Sequence, residues 1–432
     1  MHKKIIKTLE QHNYEAYLVG GAVRDIVMGK IPKDFDVVTN AKPDQLKVIF
    51  KDEKLSLVGE SFNVMIINGI EVASYRIDKY EDNKLSVQYT RSLLEDLSRR
   101  DLTINAMSMN KYGKIFDPFN GIEDIRLRTI KFVGNPHNRI RQDPVRILRA
   151  FVRCCDFPVF YNIDKNSYKA MKENIHLIKD IPKERIRLEI LRAMKTINPS
   201  LFFNLLKEFD ILKDIFPSLD AGYYHFDNNY HNETIFLHNM ICGDSISKRK
   251  PLLRLAGYLH DVGKPEAFDG VNYRKHDKIG AEIIKRELGA LKFSTEEIKY
   301  ITGLIDIHMV GMLKIKPKTA RRLFIKLKER GLHWKDLIQL RIGDRKGNLK
   351  NENYSKKDIR NYTICLHKEL KRKPPFAIRD LDISGNDIMK IKKIPPSQEV
   401  GRILKELFKI IVDYPHFNER YILINLVKHH NL

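Results

Sequence analysis

Residues able to do chemistry gather at two places far apart along the chain. The first is Leu18-Val19-Gly20-Gly21-Ala22-Val23-Arg24-Asp25, an apolar run entering a Gly-Gly turn and a short helix. Glycine lets a backbone approach a ligand closely, and the N–H groups that open a helix attract phosphate. Asp34-Phe35-Asp36 follows at the entrance to an apolar strand ending at Val38. Residues i and i+2 of a strand share a face, so both carboxylates project together, and two like charges side by side require a cation or a proton between them. Glu71, on a hairpin downstream, can add a third carboxylate from a neighbouring strand. Mg²⁺ ions ~3.5–4 Å apart on such a set would activate an attacking 3′-hydroxyl and neutralise a leaving pyrophosphate, as nucleotidyl transfer requires. A lone DxD is more often an edge strand with incidental acids; here it follows a phosphate-friendly turn. Further along, Leu97-Ser98-Arg99-Arg100-Asp101-Leu102-Thr103-Ile104-Asn105-Ala106-Met107 sets cations, an acid and an amide just before or within a helix. Arginine forks clamp triphosphate, and Asp with Asn holds a sugar hydroxyl; the bland reading is a surface Arg99–Asp101 ion pair.

The second place is His238, then His260-Asp261 after Leu255-Ala256-Gly257-Tyr258-Leu259, and Asp344 closing Leu340-Arg341-Ile342-Gly343. Imidazole and carboxylate together suit divalent transition metals better than Mg²⁺ alone, and a metal-bound water is a ready nucleophile on a phosphoester. His276 and His308 are additional groups for a substrate phosphate or a second metal. The bland alternative is a helical scaffold that keeps its ligands and only contacts RNA.

The elements that must position these residues divide the chain. Residues 1–150 read as mixed α/β, with Asn68-Gly69 between Val64-Met65-Ile66-Ile67 and Ile70-Glu71-Val72-Ala73-Ser74-Tyr75 supplying the two positive-φ positions of a tight hairpin. From about Asp143 apolar residues recur every three or four positions, as in Ile186, Ile190 and Met194, and the remainder is expected to be nearly all helix. Phe216-Pro217-Ser218 and Lys373-Pro374-Pro375 mark boundaries near 220 and 375. The 432 residues are 43% hydrophobic and 31% charged, a globular composition, and no apolar run is long enough for a membrane span. The N-terminus lacks an apolar signal core, and the four cysteines, Cys154, Cys155, Cys242 and Cys365, have no disulfide-like or CxxC spacing, which together predict a cytoplasmic protein. The net charge is +23, and residues 312–373 hold 20 Lys/Arg against 6 Asp/Glu, an excess suited to a nucleic-acid backbone.

In this setting the motifs resemble those of the class II tRNA nucleotidyltransferase and poly(A) polymerase family. Gly20-Gly21-Ala22-Val23-Arg24-Asp25 with Asp34-Phe35-Asp36 is similar to the family's metal motif, and Arg99-Arg100-Asp101-Leu102-Thr103-Ile104-Asn105-Ala106 to its ribose-selecting motif. Asp117-Pro118-Phe119-Asn120-Gly121 looks like the hinge, and Glu184-Arg185-Ile186-Arg187-Leu188-Glu189 like the neck helix. Ser384-Gly385-Asn386-Asp387 and Glu399-Val400-Gly401-Arg402 resemble C-terminal motifs of bacterial CCA-adding members. Gln142-Asp143-Pro144-Val145-Arg146-Ile147-Leu148-Arg149 resembles the base-reading motif, in which Asp accepts from an exocyclic amine while Arg donates to the ring. Two departures stand out. Gln142 replaces the usual Glu, which spares the contacts of Asp143 and Arg146 but bears on how Arg146 is oriented. Arg153 is displaced by one residue, about 100° round a helix, so the family's phosphate role is not carried to it. The polar segment Arg76-Ile77-Asp78-Lys79-Tyr80-Glu81-Asp82-Asn83-Lys84 resembles the flexible loop of members that complete the terminal A. The His238, His260-Asp261, Asp344 pattern resembles the HD phosphohydrolase superfamily.

The resemblance implies an α+β fold: a polymerase-β-like head at 1–140 with a small mixed sheet, a helical neck at 141–220, an HD-type helical domain at 221–375 and a helical tail at 376–432. It implies template-independent CCA addition to tRNA from CTP and ATP. Asp34, Asp36 and Glu71 would be catalytic. Gly20, Gly21, Arg24, Arg100, Asp101, Asn105, Asp143, Arg146 and Arg149 would bind nucleotide. Mg²⁺ would sit on Asp34 and Asp36, and a second divalent metal, Ni, Mn, Co or Mg, on His238, His260, Asp261 and Asp344, with phosphohydrolase or cyclic phosphodiesterase activity in RNA 3′-end repair. The alternatives are a poly(A) polymerase, a CC- or A-adding enzyme, an HD phosphohydrolase with a regulatory head, or a non-catalytic RNA-binding protein. Patterning carries no signal of oligomeric state.

Overall fold

The structure is a computed structural model that describes residues 1–58, 64–81, 84–157, 161–225, 233–310, 315–349 and 356–429. The chain forms two compact units, Met1–Ile211 and Leu212–Leu432.

The first unit is built on a seven-stranded mixed sheet. Its strands are β1 (Ala16–Val19), β2 (Asp36–Thr39), β3 (Leu55–Val58), β4 (Val64–Ile67), β5 (Ile70–Ser74), β8 (Ser108–Met109) and β9 (Ile115–Phe116), in the order β3-β4-β5-β2-β1-β8-β9. β2 and β5 run parallel and the other neighbours antiparallel. Asn68 and Gly69 take φ of 52° and 82°, the left-handed pair that a two-residue hairpin needs, and join β4 to β5. Alternation along β2 divides the core. Val37 packs with Ile5, Ile6, Leu9, Leu46 and Phe50, whereas Val38 on the opposite face packs with Val19, Tyr75 and Leu97.

The segment read as a flexible loop is instead a hairpin. β6 (Arg76–Glu81) pairs antiparallel with β7 (Lys84–Tyr89), in a register running from Arg76↔Tyr89 to Glu81↔Lys84, while Asp82 and Asn83 lie outside the described residues. Polar residues alternating with Ile77 in β6 and with Val87 and Tyr89 in β7 give a strand period that a purely polar reading overlooks. After the sheet the unit is almost entirely helical, apart from the two-stranded pair Thr129–Ile130 and Asn162–Ile163. The segments expected as head (1–140) and neck (141–220) share the unit Met1–Ile211, apart from the last residues of the neck.

The second unit is helical throughout its described residues. The tail beyond 375 is tied into it by Arg321, whose Nε and Nη2 donate to Val412 O and Asp413 O at 2.5 and 3.0 Å while Nη1 pairs with Glu369 at 2.7 Å. Such a buried fork satisfies the last carbonyls of the helix Gln398–Asp413 and explains why no unit boundary falls near 375. It also corrects the reading of the basic stretch, since Arg321 and Arg341 are buried and do not contribute to a surface field.

Candidate active site and metal cluster

In the first unit a cleft of about 1050 Å³ opens where the sheet meets the helices that follow it. Its walls include Gly20, Gly21, Arg24, Asp36, Arg100, Asp101, Asn105, Asp143, Arg146 and Arg149, so ten of the expected catalytic and nucleotide-binding residues are brought to one place. Gly20 has φ +68°, and a Cβ there would lie 3.2 Å from Arg100 Nη1 and 3.8 Å from Asp36 Oδ2. A side chain would therefore fill the gap between a guanidinium and a carboxylate, which is space for a phosphate chain and its cation.

Parallel pairing places Glu71 directly beside Asp36. Burial raises the Asp36 carboxyl above its ordinary value, and the negative fields of Glu71 and Asp34 add to this against the lowering field of Arg100. Crowded carboxylates with hard oxygen donors fit a divalent cation, which would relieve their repulsion. Asp34 and Glu71 are exposed and do not line the cleft, so of these three acids Asp36 is the one that faces it.

The cations around the cleft are held by internal partners. Arg24 donates to Asn105 Oδ1 at 2.7 Å and to Asp25, and Asn105 Nδ2 in turn donates to Asp101 at 3.3 Å. Burial pushes Asp101 up, but the Arg149 guanidinium, the Leu102 N–H and Asn105 outweigh it and hold the acid below its ordinary value. Arg99 and Arg100 both grip Asp96, at 2.7 and 3.2 Å, and Asp96 is fully buried. The Arg99-to-Asn105 motif, expected just before or within a helix, comes directly after one. It follows the helix Leu93–Ser98 and contains only the short turn Thr103–Asn105, which frees its polar groups to face the cleft.

The base-reading motif sits at a break between the helices Pro136–Gln142 and Val145–Cys154, where Asp143 is extended and Pro144 starts the second helix. Gln142 Oε1 accepts from Arg139 Nη1 at 3.0 Å and from Arg146 Nη1 at 3.4 Å, and Arg146 Nη2 donates to Arg99 O at 3.3 Å. A neutral amide therefore still orients Arg146. Asp143 is paired with Arg185 of the neck helix at 2.8 Å, a contact 42 residues away in sequence. Arg153 pairs with Asp156 at 2.5 Å and lies off the cleft, consistent with its displaced position.

Sequence reasoning missed Arg76, Asp78, Asp96 and Arg185. Asp96 had a signal, since its spacing to Arg99 and Arg100 is i,i+3 and i,i+4. The contact between Arg185 and Asp143 had none.

In the second unit, His238 lies within the helix Ile235–Asp244. His260 and Asp261 follow the helix Pro251–Leu259, and Asp344 is in Trp334–Gly347. One donor atom from each of these four buried side chains lies within 4.8 Å of all the others, and a second group sharing Asp261 adds His276 and His308. Among the described residues these are the groups of three or more potential ligands that meet so closely; Asp34, Asp36 and Glu71 do not. Burial disfavours the charged form of His238, but hydrogen bonds to Asp344 and Glu233 and the field of Asp261 raise it to about 9. Burial likewise pushes Asp261 and Asp344 up, and the surrounding imidazoles, with Lys264 beside Asp261, hold both well below the carboxylate range. A set of acids kept ionised beside imidazoles fits a metal ion.

Three family models match the chain: a poly A polymerase head domain over residues 16–131, a probable RNA- and SrmB-binding site of polymerase A over 160–223, and a putative tRNA nucleotidyltransferase domain 2 over 277–427. A CCA-adding enzyme of Ligilactobacillus salivarius is 30% identical over 98% of this chain and 95% of its own length. A poly(A) polymerase I of Haemophilus influenzae is 33% identical over 50% of this chain and 51% of its own length. Among solved structures, the Bacillus stearothermophilus CCA-adding enzyme in complex with CTP superposes with a TM-score of 0.72 at 23% identity, covering 98% of this chain and 95% of that one. The Thermotoga maritima CCA-adding enzyme complexed with tRNA has a TM-score of 0.56 at 18% identity, over 99% and 94% of the two chains.

Proposed function

Because this chain belongs to the class II CCA-adding enzyme and poly(A) polymerase family, we propose that it adds CCA to the 3′ ends of tRNA from CTP and ATP without a nucleic-acid template. The observation that carries the reading is the single cleft that holds Asp36, the Arg24–Asn105–Asp101 chain and the Asp143–Arg146 pair.

Asp34 and Asp36 would hold Mg²⁺, with Glu71 the neighbouring acid that crowds Asp36. When bound there, Mg²⁺ supplies activation of the 3′-hydroxyl and charge neutralisation on the leaving pyrophosphate. Gly20 and Gly21 keep the space beside Asp36 clear, and Arg100 and Arg24 face that space with the positive charge that a triphosphate needs. Asp101 and Asn105, already hydrogen-bonded to each other, are placed to hold ribose hydroxyls. Asp143 accepts from the exocyclic amine of C or A while Arg146, fixed by Gln142 and Arg99 O, donates to the ring. Arg149 stabilises Asp101 from the neck side. Exposed Lys316, Lys318, Arg322, Lys326 and Lys328 in the second unit are suited to sequence-independent contacts with tRNA phosphates.

His238, His260, Asp261 and Asp344 favour a second reading alongside the first: a divalent metal site for Ni, Mn, Co or Mg, with phosphohydrolase or cyclic phosphodiesterase activity in RNA 3′-end repair. Among the described residues no helix is long and apolar enough to cross a membrane, and none of the four cysteines is in a disulfide, which supports a cytoplasmic location.

The test is incorporation on tRNA ending at the discriminator base, sequenced after incubation with Mg²⁺ and CTP, ATP or both. CC, no addition and CCA respectively are expected. Long A tails with ATP alone would assign a poly(A) polymerase instead, and CC in the mixed reaction a CC-adding enzyme. No addition in any mixture, and none to tRNA already ending in CC, would overturn nucleotidyl transfer.

A further inference from the structure

Beside its buried cluster the second unit carries an aromatic pair that neither reading of the chain has used. Phe268 and Tyr273 flank a tight turn. The Asp269 N–H donates to Asn272 O at 3.1 Å, the Val271 and Asn272 N–H groups donate to Asp269 Oδ1 at 3.0 and 2.6 Å, and Gly270 takes φ +95°, which a residue with a side chain rarely adopts. Closure of the turn stacks the two rings, with centroids 5.0 Å apart and planes 28° from parallel, and the His225 ring stands edge-on to both at 5.8 and 6.1 Å. Even so, Phe268 remains 42% exposed. A single exposed apolar residue needs no account, but this pair is tied to the cluster at two points.

The first tie is His276. Its Nδ1 lies 2.8 Å from Tyr273 O, and its Nε2 lies 3.3 Å from Asp261 Oδ1. A carbonyl only accepts, so the ring donates to the Tyr273 backbone and turns its other nitrogen to the cluster. The second tie is Lys264, whose ammonium is 2.9 Å from Asp261 Oδ2 and 5.7 Å from the centre of the Tyr273 ring. One cation thus meets a cluster carboxylate and an aromatic face together. A bare phosphate gains nothing from aromatic rings at this position, whereas a flat heteroaromatic ring carried on a phosphate gains stacking as well as charge.

We propose that Phe268 and Tyr273 form a stacking platform for the base of a nucleotide whose 2′- or 3′-phosphate is held at the His238 cluster, so that this unit selects nucleotides from among other phosphates. The inference rests on the reading of that cluster as a metal site acting on phosphoesters and adds a base subsite to it. Stacking is tolerant of sequence because every base has a π-face, so the platform takes any of the four bases.

Trp334 is the one tryptophan of the chain, so the full-length Trp334→Phe/Phe268→Trp variant reports on the platform through a single indole. Its emission is titrated in Mg²⁺ with adenosine 3′-monophosphate, a short RNA ending in a 3′-phosphate, adenosine, ribose 5-phosphate and inorganic phosphate. Saturable quenching by both 3′-phosphorylated ligands is expected, half-saturating at a concentration at least about tenfold below that of adenosine, with no change from the two base-free phosphates. Quenching by the mononucleotide and not by the RNA would assign the site to free nucleotides, and quenching by both assigns it to RNA ends as well. Equal affinity for adenosine and its 3′-monophosphate would overturn the link between platform and cluster. Absence of saturable quenching overturns the platform itself. The metal reading is checked separately by elemental analysis of wild type and His260→Gln, each stripped with chelator and reloaded with Mn²⁺: an ion held by wild type and lost in the variant keeps that reading whatever the indole shows, and no ion in either removes it. Should the first reporter fail to fold, Trp334→Phe/Tyr273→Trp places the indole on the other ring with the same expectations, and adding Phe268→Ala to it should weaken nucleotide binding about 5- to 100-fold, the range of one base–aromatic stack. An unchanged affinity there would also overturn the platform.

Discussion

The two constellations solve opposite electrostatic problems. The head cleft is lined by eight arginines against five aspartates and is open enough for a nucleotide, and the cations traced around it are fastened to internal acceptors. It is a cationic surface prepared in advance for a large polyanion, so little reorganisation is left for the moment of binding. The cluster in the second unit is buried, its donor atoms already crowd within one coordination sphere, and its acids are held ionised by imidazoles. The lesson is that similar residue types suit different ends according to spacing: acids at an open cleft are placed to share an ion with a substrate, whereas buried acids among histidines are placed to hold one of their own.

The comparison breaks first if the acids of the head are not special to it. Asp36→Asn is expected to lower kcat for CCA addition by at least about 100-fold, because the carboxylate facing the cleft is lost, while the metal content of the second unit stays the same. Single-turnover incorporation with parallel metal analysis reads both quantities. A near-normal rate would remove Asp36 from the mechanism, and loss of metal from the second unit would show that the sites are not independent.

The next largest effect tests whether the arginines are preorganised. Asp96 is fully buried and binds both Arg99 and Arg100, so Asp96→Asn takes the paired acid from Arg100 and leaves Arg99 with only its longer contact to Asp78 at 3.7 Å, a change worth about 3–5 kcal/mol when the pair is buried. Chemical denaturation should show that loss at neutral pH. Burial pushes the Asp96 carboxyl up, but the two arginines overcome it and hold it below the ordinary 3.8. The stabilisation is therefore complete above 3.8 and is lost as pH falls through the lower folded value, so wild type and variant should converge in acid. A constant difference across that range would mean that Asp96 acts by packing alone.

How much of this was legible in the sequence follows from how local each determinant is. The glycine turn and the Asn68-Gly69 hairpin depend on neighbours, and each appears where spacing puts it, whereas of the two acids at i and i+2 only Asp36 lies in the strand and lines the cleft. The β6–β7 hairpin is hard to read because its many polar residues mask the alternation around them. The six-residue cluster assembles from separate helices, so a sequence shows its ligands but not the sharing of Asp261 between two pairs of imidazoles. The grip of Arg185 on Asp143, 42 residues apart, depends on how the neck helix packs and leaves no periodic trace.

The smallest expected effect concerns Gln142, and it sharpens the idea that the cleft is fixed before substrate arrives. Its amide oxygen accepts from Arg139 and from Arg146, so the geometry of Arg146 depends on an acceptor at this position more than on a charge. Gln142→Glu keeps the acceptor and adds a negative charge, converting neutral bonds into charge-assisted ones worth about 1 kcal/mol more. If Arg146 is already in place, the ratio of kcat/KM for C over A addition should change less than about fivefold, with any gain appearing mainly in KM. Gln142→Leu, which removes the acceptor, should disturb that ratio more than Gln142→Glu does. The reverse order would mean that charge at residue 142, and not the orientation of Arg146, sets how this cleft reads a base.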